Sequence, residues 1–204
     1  MAEATAKQPQ QERGQRRVTR LLDAAEQEIL RAGVDGMTMN AVAQRASTAP
    51  GSLYQFFPGK SALIAALSQR HVVALAALAK ETSDRLMQHP EATIGATAIA
   101  LLQPFVRYYE AHPAYVILAA TAHRWPETRA GEDMADNAVV QAYVKTLTPF
   151  AGTHALGRLE LAARLMVETG HAAIAASQSE NPGKKDVWIA ELELLVAAYA
   201  STLR

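Results

Sequence analysis

Residues 38–60 read TMNAVAQRASTAPGSLYQFFPGK, and the punctuation inside this stretch decides the fold. Met39, Val42, Ala43 and Ala46 recur at i, i+3, i+4 and i+7, the spacing of one buried helix face. Thr38 stands just before that run, where a hydroxyl can accept from an unpaired backbone N–H. Ser47 and Thr48 break the pattern. Pro50 suits the first turn of a second helix, because its missing N–H has no intrahelical partner there. Leu53, Phe56 and Phe57 then point inward, and Pro58-Gly59 ends the element. Two short helices joined by a tight turn form a helix-turn-helix, whose second helix can enter a DNA major groove.

The segment resembles the DNA-binding half of TetR-type (tetracycline-repressor-like) transcriptional regulators. Thr38, Val42-Ala43, Ala46, Gly51, Ser52, Leu53-Tyr54, Phe56-Phe57 and Lys60 fill the places of that family's motif, over about residues 15–68. There are departures. Ser47 stands where the family's turn has Gly, Thr48 where Val is usual, and Ala49 where Ser caps the second helix. Loss of such a cap typically costs on the order of 1 kcal/mol. The resemblance implies an all-α chain: a three-helix DNA-binding head, then a larger helical domain for ligand binding and dimerisation.

The chain has 204 residues, half of them hydrophobic and none of them cysteine. That suffices for a real core and excludes disulfides and thiolate metal sites. Alanine dominates the apolar half and strand-type runs are absent, which favours helices. No apolar run reaches the roughly 18–20 residues of a membrane span, and no signal-peptide pattern opens the chain. A cytoplasmic protein with no membrane partner is expected. Net charge is zero, but residues 1–20 hold five basic and two acidic side chains. A basic start on a neutral chain fits a DNA-facing head.

In chain order, residues 1–14 are polar and aperiodic, and a disordered basic arm is expected, with Arg13, Arg16 and Arg17 able to reach phosphates or the minor groove. Residues 15–60 form the DNA-binding domain. Its first helix carries Val18, Leu21, Leu22, Ala25 and Ile29, and Gly33 stops it. Residues 61–204 form the second domain. It opens with a helix from Lys60 to about Pro90, with Leu63, Ala66-Leu67, Val73-Ala74, Ala77-Leu78 and Leu86 on one face. No Gly- or Ser-rich linker separates it from the head, so it can act as a lever. Further helices are expected at about 91–111 (with Pro104 as a kink), 113–122, 132–149, 154–178 and 185–203.

The last two helices are apolar on more than one face, which argues burial on two sides. Leu159, Ala163, Met166, Val167, Gly170, Ile174, Trp188, Leu192, Leu195 and Tyr199 are the expected dimer stripe, with Leu161, Leu165, Ile189 and Leu194 flanking it. The resemblance also implies a homodimer formed through these helices.

For DNA, Thr38, Tyr54 and Lys60 are expected on phosphates, which fix register without reading sequence. Thr48, Pro50, Gly51, Ser52 and Gln55 are expected at base edges, and Arg17 completes the set. A dimer places two reading heads on a palindromic operator. A small-molecule inducer is expected in the second domain, lined by Phe105, Tyr109, Trp125, Tyr143, Met166 and His171. The reading is a one-component regulator, a repressor released by that inducer, with no cofactor. The rivals are a helical adaptor without DNA binding, or a metal protein built on Glu168-x-x-His171. The di-iron version of the latter needs a second such motif, and the sequence has none. No nucleophile elbow, phosphate loop or zinc-protease motif supports an enzyme.

Overall fold

The computed structural model describes residues 7–121, 125–179 and 182–204, and every regular element among them is helical. Helix α1 spans Lys7–Gly36, α2 Met39–Arg45, α3 Pro50–Phe56 and α4 Lys60–Gln88. Then follow α5 Ile94–Ala111, α6 Pro113–Ala119, α7 Pro126–Leu147, α8 Leu159–Ser179 and α9 Lys185–Ser201. The chain divides into two compact units. One runs to Arg70 and takes in Pro113–Arg129; the other holds His71–His112 and Ala130–Arg204. The division differs from an expected boundary at residue 60: the head includes the first turns of α4 and all of α6.

In the first unit, Leu21, Leu22, Ala24, Ala25 and Ile29 form the buried face of α1, and α2 and α6 pack against that helix. α1 begins earlier than its apolar stripe does. Residues 7–14, expected in a disordered arm, are helical, while residues 1–6 lie outside the described ones. The extension is rich in good helix formers, Pro9 falls in the first turn where its missing N–H costs nothing, and Glu12 pairs with Arg16 one turn on at 3.8 Å. Gly33 interrupts α1 at φ 70°, a conformation that disfavours side chains.

Helix α4 contributes to both units. Its buried apolar residues are Leu63, Ile64, Leu67, Val72, Leu75, Ala79 and Leu86. Beyond Leu67 the face is rotated from the expected one, and Val73 is 58% exposed. The absence of a membrane-length apolar segment is also corrected: α4 is long and apolar enough to cross a membrane by length and composition. Ser68, Gln69, Arg70 and His71 interrupt its apolar run, but the Ala- and Leu-rich flanks keep the average high.

The second unit packs α5 against α8 and α9, and α8 against α9. Thr93 caps α5 by accepting from the Ala96 N–H at 3.1 Å. At Gly95 the backbones of α5 and α9 close in; a methyl group there would sit 3.2 Å from the Ala197 carbonyl oxygen. Ile94, Ala98, Leu101 and Leu102 of α5 meet a core completed by Val140, Tyr143 and Leu147 of α7, Leu159, Ala162 and Met166 of α8, and Leu192, Val196 and Ala200 of α9. Inside this core the Ser83 and Thr146 hydroxyls bond at 3.1 Å, so neither is left unpaired away from water.

This core corrects the expected dimer stripe. Leu159, Ala163, Met166, Val167, Ile174 and Leu192 are buried within their own chain, as is Gly170. The small residues of α8 let neighbouring helices of the same chain come close. The outward apolar face is the flank: Leu161, Leu165, Val187, Leu194 and Leu195 are 47–64% exposed. Of the expected stripe only Trp188 and Leu195 lie on that face, with Tyr199 half-buried beside them.

Candidate nucleic-acid interface and ligand cavity

The first unit builds the reading head. Thr38 caps α2, accepting from the Ala41 N–H at 3.2 Å. The turn to α3 places Ser47 at φ 51°, a conformation a non-glycine residue adopts only at a cost. Ala49 starts α3 without a side-chain cap, and Pro50 fills its first position. Leu53 is fully buried, while Pro50, Gly51, Tyr54 and Gln55 are exposed and Ser52 is half-buried. α3 carries no charged residue, so its outward face offers hydroxyls, an amide and apolar carbons. Those groups can meet base edges and thymine methyls, and the hydroxyls and the amide can also donate to phosphates.

Cations flank this face. Arg13, Arg16 and Arg20 are exposed on α1. Arg17 donates to the Thr48 hydroxyl at 3.0 Å, and its guanidinium lies 5.8 Å from the centre of the Phe56 ring. Lys60 donates to the Asp35 carbonyl at 2.9 Å, with its ammonium 5.9 Å from the Trp125 ring centre. Arg45 is committed to Glu28, whose carboxylate also accepts from Arg31. Hydrogen bonds from Arg31, then Arg45, hold the Glu28 carboxyl below its ordinary range despite its burial. This buried pairing fixes α2, and through it the turn, on α1.

The second unit holds a cavity between α4, α5, α7 and α8. Its walls include Leu75, Leu102, Phe105, Val139, Val167 and Ile174, and Tyr109, Tyr143, Met166, Gly170, Asp136 and His171 also line it. Five of the six residues expected around an inducer therefore share one space. Trp125 does not: it belongs to the first unit, beneath Lys60. The free interior is about 20 Å³, room for roughly one water molecule. Tyr143 is fully buried and donates to the Ala98 carbonyl at 3.3 Å, and burial pushes its phenol pKa up. His171 packs edge-on against Tyr109, and its Nε2 lies 3.6 Å from the Asp136 carboxylate. Burial raises the Asp136 pKa, and the neighbouring carboxylates of Glu168 and Asp133 add to the rise, against His171 and Arg164.

Asp136 was missed by counting aromatic residues. The signal was present: on α7, Asp136, Val139 and Tyr143 fall at i, i+3 and i+7, so Asp136 is a polar residue within a buried stripe. Among the described residues, Glu168 and His171 belong to no cluster with three donor atoms in metal-binding reach.

The chain's relatives fit both halves. Residues 21–67 match the model of bacterial regulatory proteins of the tetR family, and residues 93–199 match the tetracyclin repressor-like C-terminal domain. No curated protein matches the sequence. Among solved structures, a TetR-family transcriptional regulator from Streptomyces coelicolor is 22% identical with a TM-score of 0.64, covering 92% of this chain and 99% of its own. A transcriptional regulator from Rhodococcus sp. RHA1 superposes with a TM-score of 0.73 at 17% identity, covering 91% and 95%. FadR from Bacillus subtilis, in complex with stearoyl-CoA, has a TM-score of 0.59 at 16% identity, covering 91% and 96%. At these identities the solved structures show the fold, while the two matched models together span the head and most of the second unit. The chain belongs to the tetR family of bacterial regulatory proteins, which act on transcription by binding DNA.

Proposed function

We propose that this protein is a cytoplasmic one-component repressor: a homodimer that holds a palindromic operator and leaves it when a small molecule occupies the cavity of the second unit. The observation that carries this reading is the outward face of α3. Tyr54, Gln55, Pro50 and Gly51 are exposed together on one face of a family-matched head. The cavity supplies the control. Its walls include Leu75 of α4 and Val139 of α7, two helices that also run into the first unit. With so little free space, an occupant must push these walls apart. By population shift, a ligand that fits only the opened cavity favours a spacing of the heads that misfits successive grooves. That a structural neighbour holds stearoyl-CoA, a molecule with an apolar body, agrees with apolar walls here. A regulator with no catalytic role accounts for the same features.

Operator selection from a random duplex pool tests the reading. The expected product is an inverted repeat, bound by the wild type and lost in Tyr54→Ala, while sedimentation shows the variant still dimeric. A selection that enriches no sequence would leave the helical-adaptor reading in its place.

A further inference from the structure

We infer that the effector of this cavity is an amphipathic cation, an apolar body carrying a basic amine whose ammonium takes Asp136 as its partner. The inference rests on the reading of the cavity as an effector site and adds the chemical class of the occupant.

The charge balance of the lining is the argument. Asp136 is the one carboxylate in a wall of Leu, Val, Phe, Met and Ile, and its side chain is 29% exposed. Among the described residues its nearest basic neighbour is the His171 imidazole, at 3.6 Å, too long for a hydrogen bond. A partly desolvated carboxylate without a close donor is a costly group, and an incoming ammonium would relieve that cost with a charge-assisted bond. The surroundings point the same way. Asp133 and Glu168 add negative potential at Asp136. Arg164 opposes them, though its side chain does not line the cavity and its guanidinium is held by the Asn137 side chain at 2.8 Å. Phe105, Tyr109 and Tyr143 line the same space, and aromatic rings attract cations. An anionic head, such as a carboxylate or a phosphate, would meet Asp136 with only His171 to receive it. The fatty acyl-CoA in a neighbour of this fold is thus a poor model for the head group, though not for the apolar body.

The test uses three probes with one body and different heads: phenylbutylamine, phenylbutanol and phenylbutyrate. Each is titrated calorimetrically into the full-length dimer and assayed for release of the selected operator. The amine is expected to bind about 10-fold tighter than the alcohol, as one partly desolvated ion pair allows, and the carboxylate weakest. Asp136→Asn should remove the amine's advantage and leave alcohol binding unchanged. The inference falls if phenylbutyrate binds as tightly as the amine, or if Asp136→Asn leaves the amine unaffected. Equal binding of alcohol and amine would overturn the cation class while sustaining the cavity. Failure of all three to bind or release operator would overturn both readings.

Discussion

The Arg17 guanidinium donates to the Thr48 hydroxyl at 3.0 Å, tying α1 to the turn that leads into α3. Thr48 was expected to read bases and Arg17 to reach phosphates or the minor groove. The bond makes them a unit, with Arg17 also laid against the Phe56 ring. Arg17→Ala and Thr48→Val should therefore each weaken operator binding, by about 5- to 10-fold, the worth of one charge-assisted hydrogen bond. The double variant should be little worse than either single one, with a coupling of about 1 kcal/mol in a double-mutant cycle. Fluorescence anisotropy with a labelled operator measures it, and strict additivity would separate the two residues.

The Glu28–Arg45 pair gives a pH dependence. A carboxyl whose folded pKa is depressed contributes stability above its ordinary value, near 4.5, and that contribution is lost as pH falls through the lower, folded value. The wild-type head should lose stability below about pH 4.5 more steeply than Glu28→Gln does. At neutral pH the variant should be less stable by about 1–3 kcal/mol, since Glu28 is buried but Arg45 is partly exposed. Thermal melts across acid pH test both claims, and parallel acid limbs would clear Glu28 of this role.

Ser47 occupies a left-handed conformation at φ 51°. For an L-residue this costs about 1–2 kcal/mol, against which glycine gives back about 0.5–1 kcal/mol through its freer unfolded chain. Ser47→Gly should thus stabilise the head by about 0.5–1 kcal/mol in urea unfolding. A destabilised variant would mean that the serine side chain contributes more than the backbone strain removes.

Lys60 is bonded to the Asp35 carbonyl, so a phosphate would compete with a neutral acceptor. An anion is the stronger partner for an ammonium, and the expected outcome is a shared contact. Lys60→Ala should flatten the log–log salt dependence of operator binding by about one unit. An unchanged slope would leave Lys60 as a clamp on the end of α1.

Local signals were legible in the sequence where one residue sets one backbone state. Thr38 caps α2, Pro50 opens α3 and Gly33 breaks α1, each at the residue read from the chain. Signals that depend on tertiary context were not. Periodicity identifies an apolar face on α8 but not what covers it, and Ala163 and Gly170 looked equally suited to a partner chain and to the molecule's own core. The start of α7 is polar and aperiodic, so the helix was expected only from about residue 132, although it begins at Pro126. Trp125 was grouped with the cavity because aromatic residues cluster in sequence there, and only the fold places it beside Lys60.

The outward face of α8 and α9 carries the last prediction. Leu161 and Leu165 on α8 and Leu194 and Leu195 on α9 are 47–64% exposed, and a groove runs between Ala172, Ala176, Trp188 and Ala198. An apolar surface of this kind, continuous over two helices, is unfavourable in water and suits a self-complementary partner about a two-fold axis. Leu161→Asp with Leu194→Asp should give a monomer by light scattering, with helical circular dichroism retained, because neither residue is part of the core. Operator affinity should fall by about 100-fold or more, since the second head then binds as an independent molecule rather than at high effective concentration. Leu192→Ala makes the contrast. Leu192 is buried in its own chain, so the variant should lose about 2–4 kcal/mol of stability and remain dimeric. Should the surface double variant stay dimeric while Leu192→Ala dissociates, the inward stripe read first from the sequence would be the true interface, and the core of the second unit would have to rearrange to expose it.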